Sequence, residues 1–104
     1  MIYISGKITN EDPIKQRENL SRFYEVETML NALGHKTFNP ARLEEYNKTW
    51  EYYLSRDLTY IIKNRPTIFV MIGWETSLGA KLEVETAKQL GLTIVYEAKE
   101  NTNR

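Results

Sequence analysis

The sequence predicts a three-layer α/β domain of Rossmann or flavodoxin-like type, with a mainly parallel sheet of four strands and helices on both of its faces. Three observations lead there. Strand-like runs alternate with helical runs along all 104 residues. The run "TIFVMIG" is apolar almost throughout, as a strand covered on both faces must be. Helix start and stop signals fall between the strands, at Asp12-Pro13, Gly34 and Gly91.

Taken in order, "MIYIS" is a short first strand that stops at Gly6. Asp12 is an N-cap residue and Pro13 occupies the first helical position. Leu20, Phe23, Tyr24, Leu30 and Leu33 then recur at helical spacing up to Gly34, the expected cap. "HKTFNP" is a brief second strand ended by Pro40. A polar loop leads into a helix over roughly residues 48–63, and "TIFVMIG" follows as the third strand. The helix in "TSLGAKLEVETAKQLG" ends at Gly91 and gives way to the fourth strand, "TIVYE". Residues 97–104 form a polar, solvated tail to a single domain spanning 1–104. Crossover rules make 2-1-3-4 the simplest strand order. A ligand is then expected over the carboxyl ends of strands one and three, where the order reverses.

Composition narrows the function. With 14 basic and 14 acidic residues, nothing suggests a surface for a nucleic acid polymer or for a membrane. No apolar run approaches the roughly 20 residues needed to cross a bilayer. Cysteine is absent, which excludes a disulfide framework and a thiolate metal site and fits a cytoplasmic protein. His35 is the only histidine and follows the Gly34 cap, so no metal site is expected.

Two carboxylates are out of place. In the last helix, Gly79, Ala80, Ala87 and Leu90 share a face, and Glu83 stands at its centre. In the preceding helix, Trp50, Tyr53, Leu54, Tyr60 and Ile61 define the inward face, with Asp57 at its centre. Burying a carboxylate is costly unless a partner offsets it. Either acid alone reads as a cap or an arginine partner. Both together, beside the predicted ligand site, favour acid–base or nucleophilic chemistry. Two carboxylates around one reacting centre are the usual equipment for cleaving a glycosidic bond.

At this point the chain resembles the nucleoside 2-deoxyribosyltransferase-like superfamily, which includes the deoxynucleoside 5'-monophosphate N-glycosidases. The resemblance covers nearly the whole chain and is nearest to a short bacterial and phage branch. It rests on "IYISG", "FNP", "RDL" and "GWETSLGAKLEVETAKQLG". It implies that Glu83 is a nucleophile forming a covalent deoxyribosyl-enzyme at C1'. It implies that Asp57 assists departure of the base and that Tyr3 hydrogen-bonds the catalytic carboxylate. Gly6 then lies in a loop that lets the ligand approach the backbone. The characterised relatives complete their site with a residue from a neighbouring subunit's C-terminal part; no residue of this chain matches that role by motif, and Asn101 and Asn103 are weak candidates for it. The chain departs from many relatives in carrying Arg65-Pro66 where they have an Asp before the third strand.

Ser77 is the expected N-cap of the last helix, with Gly79 just inside it, and such a terminus is a natural seat for a phosphate. Among proteins of this resemblance, the enzymes acting on unphosphorylated nucleosides typically carry Asp at the position of Ser77, and the monophosphate hydrolases carry Ser. Lys7 is placed to add a counter-charge, while Glu75 opposes one. Trp74 is expected in a loop bordering the cleft, as a surface for a base to stack on or as a packing residue. The aromatic helix with Trp50, Tyr52, Tyr53 and Tyr60 suggests a homodimer or higher homo-oligomer interface.

The expected function is therefore an N-glycosidase or deoxyribosyltransferase acting, without a cofactor or metal, on a small nucleoside or its 5'-monophosphate. The alternative is a nucleotide-binding sensor or sponge that uses the same cleft without turnover. A third reading makes both acids satisfied core groups of an assembly domain.

Overall fold

A computed structural model describes residues 1–43 and 48–98. The tail candidates Asn101 and Asn103, and much of the loop before the second helix, lie outside the described residues. Four strands, β1 (Ile2–Ser5), β2 (Thr37–Phe38), β3 (Thr67–Val70) and β4 (Ile94–Tyr96), form one sheet in the order β2-β1-β3-β4. Every pairing in it is parallel, so the sheet is parallel throughout. The helices are α1 (Pro13–Ala32), α2 (Trp50–Asn64) and α3 (Leu78–Gln89), with short 3-10 turns at Pro40–Arg42 and Trp74–Thr76. Among the described residues, no helix is long and apolar enough to cross a membrane.

The strand period of two sorts side chains onto the two faces. Tyr3, Ile68 and Val70 join Ile61 of α2 and Val84 and Ala87 of α3 in one core. Ile4, Phe69 and Met71 join Phe23, Val26 and Leu30 of α1 in the other. Thus α1 covers one face of the sheet, and α2 and α3 cover the opposite face. Both central strands are buried on both sides, which is why "TIFVMIG" shows no polar alternation.

Local signals set the helix ends. The Asp12 side chain accepts from the Ile14 amide at 2.9 Å, and Pro13 opens α1. Thr49 caps α2 by accepting from the Tyr52 amide, so this helix begins at Trp50 rather than at residue 48. Ser77 caps α3 by accepting from the Ala80 amide at 3.2 Å. α2 ends on Arg65 in the left-handed conformation, φ 48°, held in part by a guanidinium hydrogen bond to the Leu90 carbonyl. This is how the Arg65-Pro66 pair closes the helix before β3.

The buried stripe of α1 differs from the one the spacing predicts. It consists of Phe23, Val26, Glu27 and Leu30, an i, i+3, i+4, i+7 set. Leu33 is 68 % exposed because the helix has already ended at Ala32, and Tyr24 lies on the flank of the stripe. The buried set therefore contains a third carboxylate, Glu27, on the face of the sheet away from the first two.

Candidate active site

Glu83 is the best-defined feature of the site. Placed one and a half turns into α3, it points at the carboxyl end of β1 and is almost wholly buried. Tyr3 donates its hydroxyl to Oε2 at 2.8 Å, and Ser5 donates to Oε1 at 2.6 Å. Both donors are fully buried and sit two residues apart on one face of β1. Burial pushes the Glu83 carboxyl up to about 7. The Ser5 hydrogen bond opposes that rise, the Asp57 charge adds to it, and Tyr3 and Arg56 oppose it. Burial first, then the negative charge of Glu83, drives the Tyr3 phenol well above its ordinary value. Tyr3 therefore stays protonated and able to donate.

Asp57 is buried on α2, as its position on the helix requires. Its Oδ1 accepts from the Arg56 guanidinium, at 2.9 Å from both Nε and Nη2. The same guanidinium lies over the Tyr53 ring, 5.3 Å from its centroid, and donates to the Leu43 carbonyl at 3.4 Å.

Glu83, Asp57 and Arg56 open onto one cleft of about 690 Å³. It lies over Gly6, just past β1, between the start of α3 and the N-terminal half of α2, as the strand order requires. Tyr24, Trp50, Tyr53 and Leu54 line it, and Ser77, Leu78 and Gly79 bring the N-terminus of α3 to its wall. Its size and mixed lining suit a small ligand with one apolar, planar part and several polar groups. Among the described residues, no group of three or more His, Cys, Asp or Glu is placed to hold a metal ion.

Of the residues singled out from sequence, Glu83, Asp57, Gly6, Ser77 and Gly79 line the cleft. Tyr3 stands behind Glu83 as its hydrogen-bond donor. Two others do not line the cleft, and of these Trp74 takes the packing role that was one of its two expected readings. Trp74 packs against the core of the α2–α3 face, with its ring 5.8 Å from that of Tyr96, and does not line the cleft. The left-handed turn at Gly73 carries it toward the β4 edge. Lys7 also lies outside the cleft lining and donates to Thr76 Oγ1 at 3.3 Å, reaching the wall only through that residue. Gly6 has a second reason for being glycine, because a Cβ there would come within 3.1 Å of the Met71 side chain.

Sequence reasoning passed over Ser5 and Arg56. The strand period offered a signal for Ser5, since the second residue after Tyr3 must face the same way. Arg56 was legible only as the neighbour of Asp57 in "RDL". Nothing local says that its side chain bends back onto the adjacent carboxylate.

The chain belongs to the family described as a domain of unknown function, DUF4406, whose model matches residues 1–96. No curated protein and no solved structure matches it.

Proposed function

We propose that this protein is an N-glycosidase or deoxyribosyltransferase that cleaves the N-glycosidic bond of a 2'-deoxynucleoside or its 5'-monophosphate. The observation that carries this reading is the state of Glu83. It is a buried carboxylate that opens on a cleft, held at both oxygens by hydroxyls rather than neutralised by a cation. The similarity of "IYISG" and "GWETSLGAKLEVETAKQLG" to the nucleoside 2-deoxyribosyltransferase-like superfamily supports the same assignment.

In this mechanism the ionised Glu83 attacks C1', and the C1'–N bond breaks with its electron pair leaving on the base. Asp57 handles the proton that the departing base takes up. Water or a second base then attacks C1', displaces Glu83 and regenerates its carboxylate, and the proton that the water or base loses returns to Asp57. Two displacements at one carbon retain its configuration, and each passes through an oxocarbenium-like transition state. Negative charge on Glu83 favours that transition state over the ground state, in which C1' carries no full positive charge. Trp50 and Tyr53 offer aromatic faces to the base, and the start of α3 with Lys7 nearby offers a seat for a 5'-phosphate.

The decisive experiment incubates the protein with each deoxynucleoside and each 5'-monophosphate and looks for free base by chromatography. Release of base from at least one substrate is the expected outcome. Ligand binding with no release from any of them identifies a nucleotide-binding protein instead.

The acting form is a homodimer in this reading, with α2 contributing to the contact. Tyr52 is 40 % exposed on that helix, off the face that lines the cleft, and offers an aromatic ring to a partner. Light scattering at working concentration is expected to give twice the monomer mass, and an active species of monomer mass refutes the dimer.

A further inference from the structure

A glutamate side chain ends in an sp³–sp² torsion with a broad energy well, so packing alone does not fix the plane of its carboxylate. At Glu83 that plane is fixed by one donor on each oxygen, Tyr3 on Oε2 and Ser5 on Oε1. The resemblance implies a role for Tyr3 and assigns none to Ser5. Its position is also chemically pointed. Ser5 has no exposed surface, and its register partner in β3 is Val70. An alanine would pack there without a hydroxyl in need of a partner. The 2.6 Å separation from Oε1 lies in the range of a hydroxyl bound to an ionised carboxylate.

We propose that Ser5 is a positioning residue for Glu83, which holds Oε1 so that the carboxyl group presents a fixed face to the cleft. The titratable groups around Glu83 are Tyr3 from β1 and Asp57 and Arg56 from α2. Burial and Asp57 push its proton affinity up, while Ser5, Tyr3 and Arg56 pull it down, with Ser5 the strongest of the three. Loss of the Ser5 hydroxyl leaves burial and Asp57 less opposed. A hydrogen bond to a charged group of this kind moves a titration by about one to two pH units.

The kinetic part of this inference rests on the glycosidase reading, and the spectroscopic part does not. In protein carrying 13C-labelled glutamate, the Glu83 Cδ resonance reports ionisation directly, with no substrate present. Ser5→Ala is expected to move that titration upward by about one to two pH units. Ser5→Thr, which keeps a hydroxyl, is expected to restore most of the parent titration. If base release is found, Ser5→Ala should displace the acid limb of kcat/KM by the same amount and lower kcat near neutral pH about tenfold, with KM within about twofold. A Glu83 titration unchanged in Ser5→Ala overturns the inference, as does a loss of kcat with no displacement of the pH profile. If the titration moves but no substrate releases base, the positioning of Glu83 stands and the glycosidase assignment falls.

Discussion

Glu27 on α1 and Glu83 on α3 are buried to nearly the same degree, 6 % and 7 % exposed, yet their surroundings push them in opposite directions. Glu27 meets a full positive charge. Arg42 Nε donates to both of its oxygens, and Nη2 forms a further short contact to Oε1. The hydrogen bonds from Arg42 hold the Glu27 carboxyl below its ordinary value against the effect of burial. Asn39 lies close enough to lower it further, although its amide nitrogen makes no well-formed hydrogen bond. Glu83 meets two neutral hydroxyls instead, which orient it without cancelling its charge, and it rises to about 7. The first arrangement makes a strut between α1 and the turn after β2. The second leaves a carboxyl that no cation pairs directly and that takes up and releases its proton near neutral pH at the wall of a cleft. A buried acid by itself indicates neither outcome; its partner decides.

The sharpest break between the two comes from removing each charge. If Glu83 is the nucleophile proposed above, Glu83→Gln and Glu83→Ala are expected to lower base release on the order of a thousandfold or more. Glu83→Gln should also raise Tm at pH 8. The rise from 4.5 to about 7 corresponds to roughly 3 kcal/mol spent on holding the ionised form inside the fold, an upper bound on the gain. Glu27→Gln is expected to do the reverse, lowering Tm by leaving Arg42 without its partner while base release stays within about threefold. Thermal melts and base-release rates on the three variants check both halves. Undiminished turnover in both Glu83 variants removes the nucleophile assignment.

pH gives the next largest contrast. The folded protein binds a proton at Glu83 more tightly than the unfolded chain does. The stability this contributes is fully present below about pH 4.5 and is lost as pH rises to about 7. Glu27 has the opposite sign, because its proton is bound less tightly in the folded state. Its contribution is present above 4.5 and is lost as pH falls through its lowered value. Denaturation across pH 3 to 8, repeated on Glu83→Gln and Glu27→Gln, should remove one slope each. In the same range, kcat/KM of the parent is expected to fall about tenfold for each pH unit below 7, as free Glu83 takes up its proton. A flat profile between pH 5 and 7 contradicts a nucleophile held in this environment.

A smaller effect tests the far end of the cleft. Ser77→Asp keeps an N-cap acceptor for α3 but places a negative charge where a 5'-phosphate would sit. It is expected to weaken binding of a deoxynucleoside 5'-monophosphate about tenfold while changing binding of the parent nucleoside by less than about threefold. Calorimetric titration of both ligands separates the two. Equal losses for both remove the phosphate from the reading.

The sequence by itself determined the layered α/β class, the strand order and the starts of α1 and α3. Each of these rests on local or periodic patterns: Asp12-Pro13, the Ser77 cap and the doubly apolar run of β3 act within a few residues of themselves. The inward placement of Glu83 and Asp57 was legible for the same reason, since 100° per residue fixes the face a helical residue takes. What faces that face is a long-range fact. Glu83 meets Ser5 across 78 positions of chain, and Glu27 meets Arg42 across the second strand crossing. No spacing rule links those pairs, so only the tertiary structure decided which buried acid became a salt bridge and which met two hydroxyls at the wall of a cleft. The same limit explains Trp74 and Lys7. Both were placed correctly along the chain, but the turn through Gly73 and the contact with Thr76 set where their side chains go. Periodicity fixes the side of an element from which a residue points, and packing of distant segments fixes what it meets there.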